Sequence, residues 1–100
     1  MHFILRNGQP VDEPDVIKWA QWMEANDRER IVEQTTFSDG CMVSTVFLGL
    51  NYDFMGTGTI LYETMTFGGP HGENAIQERY TSREEAEQGH AAAVAAHERL

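Results

Sequence analysis

The sequence predicts an α+β fold: an antiparallel sheet of four to five strands with an N-terminal and a C-terminal helix packed on one face. Three observations carry this. Segments rich in β-branched residues crowd the middle of the chain, between residues 31 and 80, and are separated by turns bearing Gly, Asn or Asp. Helical periodicity is confined to the two ends, and strands flanked by helices make a layered α+β unit. A chain of 100 residues supports one modest core, so residues 1–100 form a single domain.

Taken in order, HFIL at 2–5 is a short strand closed by NGQP, an Asn-Gly turn signal followed by a proline. It is expected to join the sheet at an edge or beside the last strand. Asp12 or Glu13, followed by Pro14, opens a helix that runs to about Asn26, because proline and acids suit the first turn. Val16, Trp19, Ala20 and Met23 form its core-facing stripe, widened by Ile17 and Trp22. IVEQTTF and CMVSTVFLGL then make a hairpin around SDG. The second of these strands is apolar on both faces, with Met42, Val46, Leu48 and Leu50 on one and Val43 and Phe47 on the other. Such a strand is central and covered on both sides. The helices are one cover, and a second copy in a homodimer is a candidate for the other.

NYDFMGTGT is a glycine-bearing connection, ILYETMTFGG a third strand, GPHGEN a turn and AIQERY a returning strand. Thr81 or Ser82 caps the last helix, with Glu84 and Glu85 placed for a capping box, and its alanine run gives it strong intrinsic helicity.

Charge narrows the choice of partner. Sixteen acidic residues against seven Lys and Arg give a formal net charge of −9. That field repels phosphate backbones and disfavours direct contact with nucleic acid. It favours a protein with a basic surface, while also serving solubility. Cys41 is the single cysteine, which removes intrachain disulfides and thiolate metal clusters and fits a reducing cytosol. The apolar run before Arg6 is too short for a signal or membrane segment, and no other run approaches that length.

The residue hardest to place is Glu63. Alternation sets it with Leu61, Met65 and Phe67, opposite Tyr62, Thr64 and Thr66, and a carboxylate among apolar side chains requires a partner. In the last helix Ala86, His90, Ala93, His97 and Leu100 share the one continuous apolar stripe, so His90 points at the sheet, where it could meet Glu63. Arg79 is the competing partner. Such a pair is either a core polar network that fixes register or an acid–base pair in a cleft.

Other chemistry is thinly represented. No HExxH or close His/Cys cluster occurs, and His90 and His97 stand about 10.5 Å apart along a helix, so no metal site is expected. MGTGT lacks the lysine and following helix of a phosphate-binding loop, and no cofactor motif is present. Cys41 has no evident base and reads as a buried or edge thiol. Tyr52, Phe54 and Met55 in the acidic connection have the composition of a contact hot spot.

At VSTVFLGLNYDF, LYETMTFGG and ERYTSREEAEQGH the chain resembles a group of small uncharacterised proteins of bacteriophages and prophages. The likeness spans Val43 to His90, with Tyr62 standing for the aromatic before the ETM core and Arg79, Tyr80, Gly89 and His90 matching the remainder. It implies a viral setting in a bacterial host cytosol and no known activity, and it draws attention to Glu63, Arg79, Tyr80 and His90. The expected function is a host-directed or anti-defence interaction protein, anti-CRISPR-like, that covers a basic nucleic-acid-binding surface. Its candidate contacts are Glu24, Asp27, Glu29, Tyr52, Asp53, Phe54, Glu84, Glu85 and Glu87. The alternatives are a small enzyme or ligand-binding module built on the Glu63, Arg79, Tyr80 and His90 set, and a dimeric accessory protein.

Overall fold

The computed structural model describes residues 2–51, 58–70 and 77–99. Its elements are β1 (Phe3–Arg6), β2 (Gln9–Asp12), α1 (Val16–Ala25), β3 (Ile31–Thr36), β4 (Met42–Phe47), β5 (Tyr62–Phe67), β6 (Gln77–Tyr80) and α2 (Arg83–Glu98). The strands make a four-stranded antiparallel meander in the order β3-β4-β5-β6 and a separate hairpin of β1 and β2. This is the expected α+β architecture.

The N-terminal hairpin departs from expectation. Asn7 and Gly8 both have positive φ, 53° and 78°, as a two-residue turn with the right-handed strand twist requires. The chain therefore folds straight back as β2, and Pro10, across from Leu5, is accommodated in a two-stranded ribbon. Among the described residues HFIL forms no ladder with the main sheet: its backbone meets the chain beyond β4 at an isolated bridge, His2 to Leu50, and through the Phe3 amide donating to the Gly49 carbonyl, while Leu5 packs into the sheet's apolar cluster. With residues 9–12 in a strand, the helix starts later than Asp12 or Glu13. Asp15 is the cap, its carboxylate accepting from the amides of Ile17 and Lys18. The helix ends as expected at Asn26, whose side chain donates to the Trp22 carbonyl.

The stripe of α1 is also narrower than its sequence suggests. Trp19, Trp22 and Met23 are half-buried, but Val16, Ile17 and Ala20 are exposed. Among the described residues its contacts lie on the β1 side and at the adjacent end of β4: the Trp19 indole donates to the Gly49 carbonyl, and the Trp22 ring meets Phe47 edge-on. Val16 and Ile17 lie beyond the reach of that small platform.

β4 and β5 occupy the middle of the sheet, paired from Met42 with Phe67 to Phe47 with Tyr62. Helix α2 lies across all four strands and buries Ala86, His90 and Ala93, the stripe predicted; Leu100 lies outside the described residues. The face it covers carries Val43, Thr45 and Phe47 of β4 and Tyr62, Thr64 and Thr66 of β5, all buried. Leu5, Phe47, Leu61, Tyr62 and Ala86 form the apolar cluster, joined at its margin by Phe3, Trp22, Val32 and Tyr80. Each large side chain buried there contributes about 1.5–3 kcal/mol.

Ser82 caps α2 by accepting from the Glu85 amide, and Glu85 reaches back to the amide and hydroxyl of Thr81. The reciprocal box thus closes one residue before the cap. Close approach of α2 to β6 depends on Gly89, where a Cβ would overlap the ring and hydroxyl of Tyr80. Gly89→Ala is therefore expected to cost about 1–3 kcal/mol despite the gain in helix propensity. In a Tyr80→Ala background the same change should be neutral or stabilising, and denaturant unfolding of the double-mutant cycle measures the difference. Equal costs in both backgrounds would contradict this packing.

Candidate functional site

The densest polar arrangement lies between α2 and the sheet. His90, only 1% exposed, enters from the helix above the three strands β3, β4 and β5. Its Nδ1 lies 2.7 Å from the Thr45 hydroxyl and its Nε2 2.9 Å from the Thr35 hydroxyl. Thr45 is in turn 2.5 Å from the Thr64 hydroxyl. A neutral imidazole offers one donor and one acceptor, while a hydroxyl donates once and accepts as well, so the chain closes in either tautomer. The Glu33 carboxylate stands 3.8 Å from Nε2, its side chain 56% exposed at the rim. Three strands and a helix are thereby joined through one ring.

Glu63 lies on the other side of the sheet. It pairs in register with Val46 and Arg79, while its neighbour Thr64 faces the helix. Its carboxylate accepts from the Arg79 guanidinium at 2.9 Å and from the Gln77 amide at 3.1 Å. The expectation that Glu63 meets His90 is thus overturned, and Arg79, the competing partner, holds it. The physical reason lies in the choice of face. Alternation predicts the apolar set Leu61, Met65 and Phe67 beneath the helix, but α2 brings small residues and an imidazole, which match the threonine face in size and hydrogen bonding. Phe67, on the other face, is 40% exposed.

Tyr80 faces α2 against Gly89, on the opposite side of the sheet from Arg79. The four residues Glu63, Arg79, Tyr80 and His90 therefore form no common cleft: one pair serves each face. Thr35, Thr45 and Thr64 are the site residues missed in the sequence. Their available signal was phase, since Thr45 shares a face with Val43 and Phe47, and Thr64 with Tyr62, on the two central strands.

The remaining candidates are on the surface. Glu24, Asp27, Glu29, Glu84, Glu85 and Glu87 are all exposed. Asp27 pairs with Arg30 at 3.2 Å and Glu87 with Arg83 at 3.5 Å. The hydrogen bonds from Thr81, and secondarily from Ser82, hold the Glu85 carboxyl below its usual range. Tyr52, Asp53 and Phe54 lie outside the described residues.

At the far end of α2, His97 Nε2 is 2.9 Å from Asp39 and its ring packs on Phe37. The second Asp39 oxygen accepts from the Cys41 amide. Burial, reinforced by Asp39, pushes the Cys41 thiol up, which leaves it a packed, protonated side chain. The Tyr62 hydroxyl is buried without a hydrogen-bond partner among the described residues, and burial raises its pKa, Arg83 lowering it and Glu87 adding to the rise. Among the described residues no group of three His, Cys, Asp or Glu side chains is placed to hold a metal ion, and no helix is long and apolar enough to cross a membrane.

Comparison with protein-family models, curated proteins and solved structures returns no match to this chain. What the arrangement can do is therefore read from its geometry. The imidazole is enclosed and hydrogen-bonded at both nitrogens, and its immediate shell of threonine hydroxyls fixes the helix on the sheet.

Thr45→Val keeps the shape of the side chain but leaves His90 Nδ1 and the Thr64 hydroxyl short of a partner. It is expected to cost about 1–3 kcal/mol. Thr36→Val, at an exposed position of β3, should shift stability by less than about 0.5 kcal/mol. Chemical denaturation of the two variants compares them, and equal costs would show that the buried network contributes nothing specific.

Proposed function

We propose that this chain is a small acidic interaction protein that acts by occupying a basic surface of a partner protein, in the manner of a phage-borne, host-directed or anti-defence inhibitor of the anti-CRISPR kind. The observation that supports the reading is where the sheet topology puts the acids. In the meander, β3 begins and β6 ends at the same end of the sheet, as the pairings Ile31–Val46 and Tyr62–Tyr80 require. The segment preceding β3 carries Glu24, Asp27 and Glu29, and the segment following β6 carries Glu84, Glu85 and Glu87. Two acidic segments distant in sequence thus flank one end of the molecule, across a sheet about 14 Å wide between its edge strands.

These segments hold the six carboxylates just named against Arg28, Arg30 and Arg83, and the whole chain carries −9. A surface that normally holds nucleic acid presents lysine and arginine at comparable spacing, and desolvating such pairs supplies specificity and a fast encounter. The enzymatic alternative loses its supporting cluster, because the proposed catalytic groups are split between the two faces and the imidazole is enclosed. The reading places the action at the surface, with the buried network as scaffold.

The test is capture of partners from a bacterial host lysate on the immobilised protein, followed by affinity measurement with the purified partner at low and high salt. The expected partner is a nucleic-acid-handling protein whose binding weakens steeply with salt and falls at least about tenfold on combined Glu29→Lys, Glu84→Lys and Glu87→Lys substitution. Affinity independent of salt and of these charges would overturn the reading.

A further inference from the structure

Helix α1 is anchored through Trp19, Trp22 and Met23, and none of its residues is fully buried. The Trp19 indole bonds the Gly49 carbonyl and its ring lies 4.8 Å from that of His2, while Trp22 meets Phe47 edge-on. A Cβ at Gly49 would overlap Met23 and crowd the Trp19 indole, so the fit there is close. The rest of the helix is presented outward on a fixed support. Val16 and Ile17, 52% and 67% exposed, are the most exposed large apolar side chains among the described residues.

Helical spacing sets Ile17, Ala20, Gln21 and Glu24 on the side away from Trp19 and Trp22, with Val16 next to Ala20. Ala20, Gln21 and Glu24 are exposed as well. Acids bracket this stripe. Asp12, Glu13 and Asp15 stand at the entry to the helix, and Glu24 lies two turns beyond Ile17, about 10.5 Å along the axis. None of these four carboxylates enters an ion pair among the described residues. The one cation between residues 12 and 24 is Lys18, about 160° around the helix from Ala20. An apolar centre with a charged rim of one sign is the anatomy of a contact patch for a partner of the other sign.

We propose that the outward face of α1 docks an amphipathic helix of a partner protein. That helix sets aliphatic side chains on Val16, Ile17 and Ala20 and carries lysine or arginine at either end of its own stripe, toward Asp12, Glu13 and Asp15 on one side and Glu24 on the other. A helix suits the face because helical backbone offers no edge for an added strand, and the small Ala20 at the centre allows two axes to approach closely. The proposal rests on the reading of the chain as a binder of basic partners and supplies the apolar centre of that contact. A second copy fits poorly. Antiparallel pairing of two such stripes sets Glu24 against the entry acids, and parallel pairing sets each group of acids against itself, so acid opposes acid in both.

The test uses the full chain, isotope-labelled, titrated with a capped alanine-based helical peptide. Its leucines lie at i, i+3 and i+4, bracketed on the same face by arginines eleven positions apart, about 16 Å. A counterpart carries glutamate in place of arginine. The arginine peptide is expected to shift the amides of residues 12–24, with the counterpart at least about tenfold weaker. Ile17→Ser and Glu24→Lys, both at exposed positions, should each weaken binding severalfold while circular dichroism and melting temperature stay unchanged. Absence of binding, or equal binding of the two peptides, would overturn the proposal. So would shifts confined to Glu29, Glu84 and Glu87 and indifferent to Ile17→Ser, which would leave the acidic-end reading intact. Shifts of Val16 and Ile17 with protein concentration alone would give the face to a second copy instead.

Discussion

His90 enters the sheet where β3, β4 and β5 each offer a threonine hydroxyl, and this meeting decides which face of the sheet the helix covers. An imidazole taken out of water needs partners for both nitrogens, because an unpaired polar group in a dry interface costs about 1–3 kcal/mol. Thr35 and Thr45 supply them directly, and Thr64 extends the chain through Thr45. In this rotation of α2 the ring is satisfied while Ala86 and Ala93 are buried. With the helix so fixed, Phe47 and Tyr62 are closed over, Tyr80 packs on Gly89, and the first turn of α2 emerges at the end of the sheet where β3 begins.

The opposite face follows from the same constraint. Once Thr64 points at the helix, Glu63 must point away, and it is held there by Arg79 and Gln77 across the β5–β6 pairing. A carboxylate with two donors in a nearly buried position specifies register, since a slip of one residue would carry it beneath α2 among the threonines. The two polar groups, one on each face of the same central strands, thus fix the alignment from both sides.

Much of this was legible in the residues themselves. Alternation and turn chemistry marked β3 to β6 closely, and the four- and three-residue spacing of Ala86, His90, Ala93 and His97 marked the buried stripe of α2. Glu63 was recognisable as a residue that needs a cation or amide, and Arg79 was among its candidates. What the pattern concealed was the face. Hydrophobicity assigned Leu61, Met65 and Phe67 inward, whereas hydroxyls that pair with an imidazole can line an interior as well as methyl groups do. The β2 strand was hidden for another reason: the Asn7-Gly8 turn was legible, but Gln9 and Pro10 carry no strand signal, and Asp12, Glu13 and Pro14 after them resemble a helix start. Val16 and Ile17 carry the right period for a core, but the platform beneath them ends too soon.

The central claim is that the His90 ring is enclosed and held by threonine hydroxyls from three strands. Nuclear magnetic resonance tests it most directly, through cross-relaxation from the His90 ring protons to the methyl groups of Thr35, Thr45 and Thr64 and through the exchange rate of the Thr45 hydroxyl proton. The account predicts contacts to all three methyls and a hydroxyl proton protected enough to be observed. A His90 ring with no such contacts, exchanging with solvent as an exposed side chain does, would contradict it.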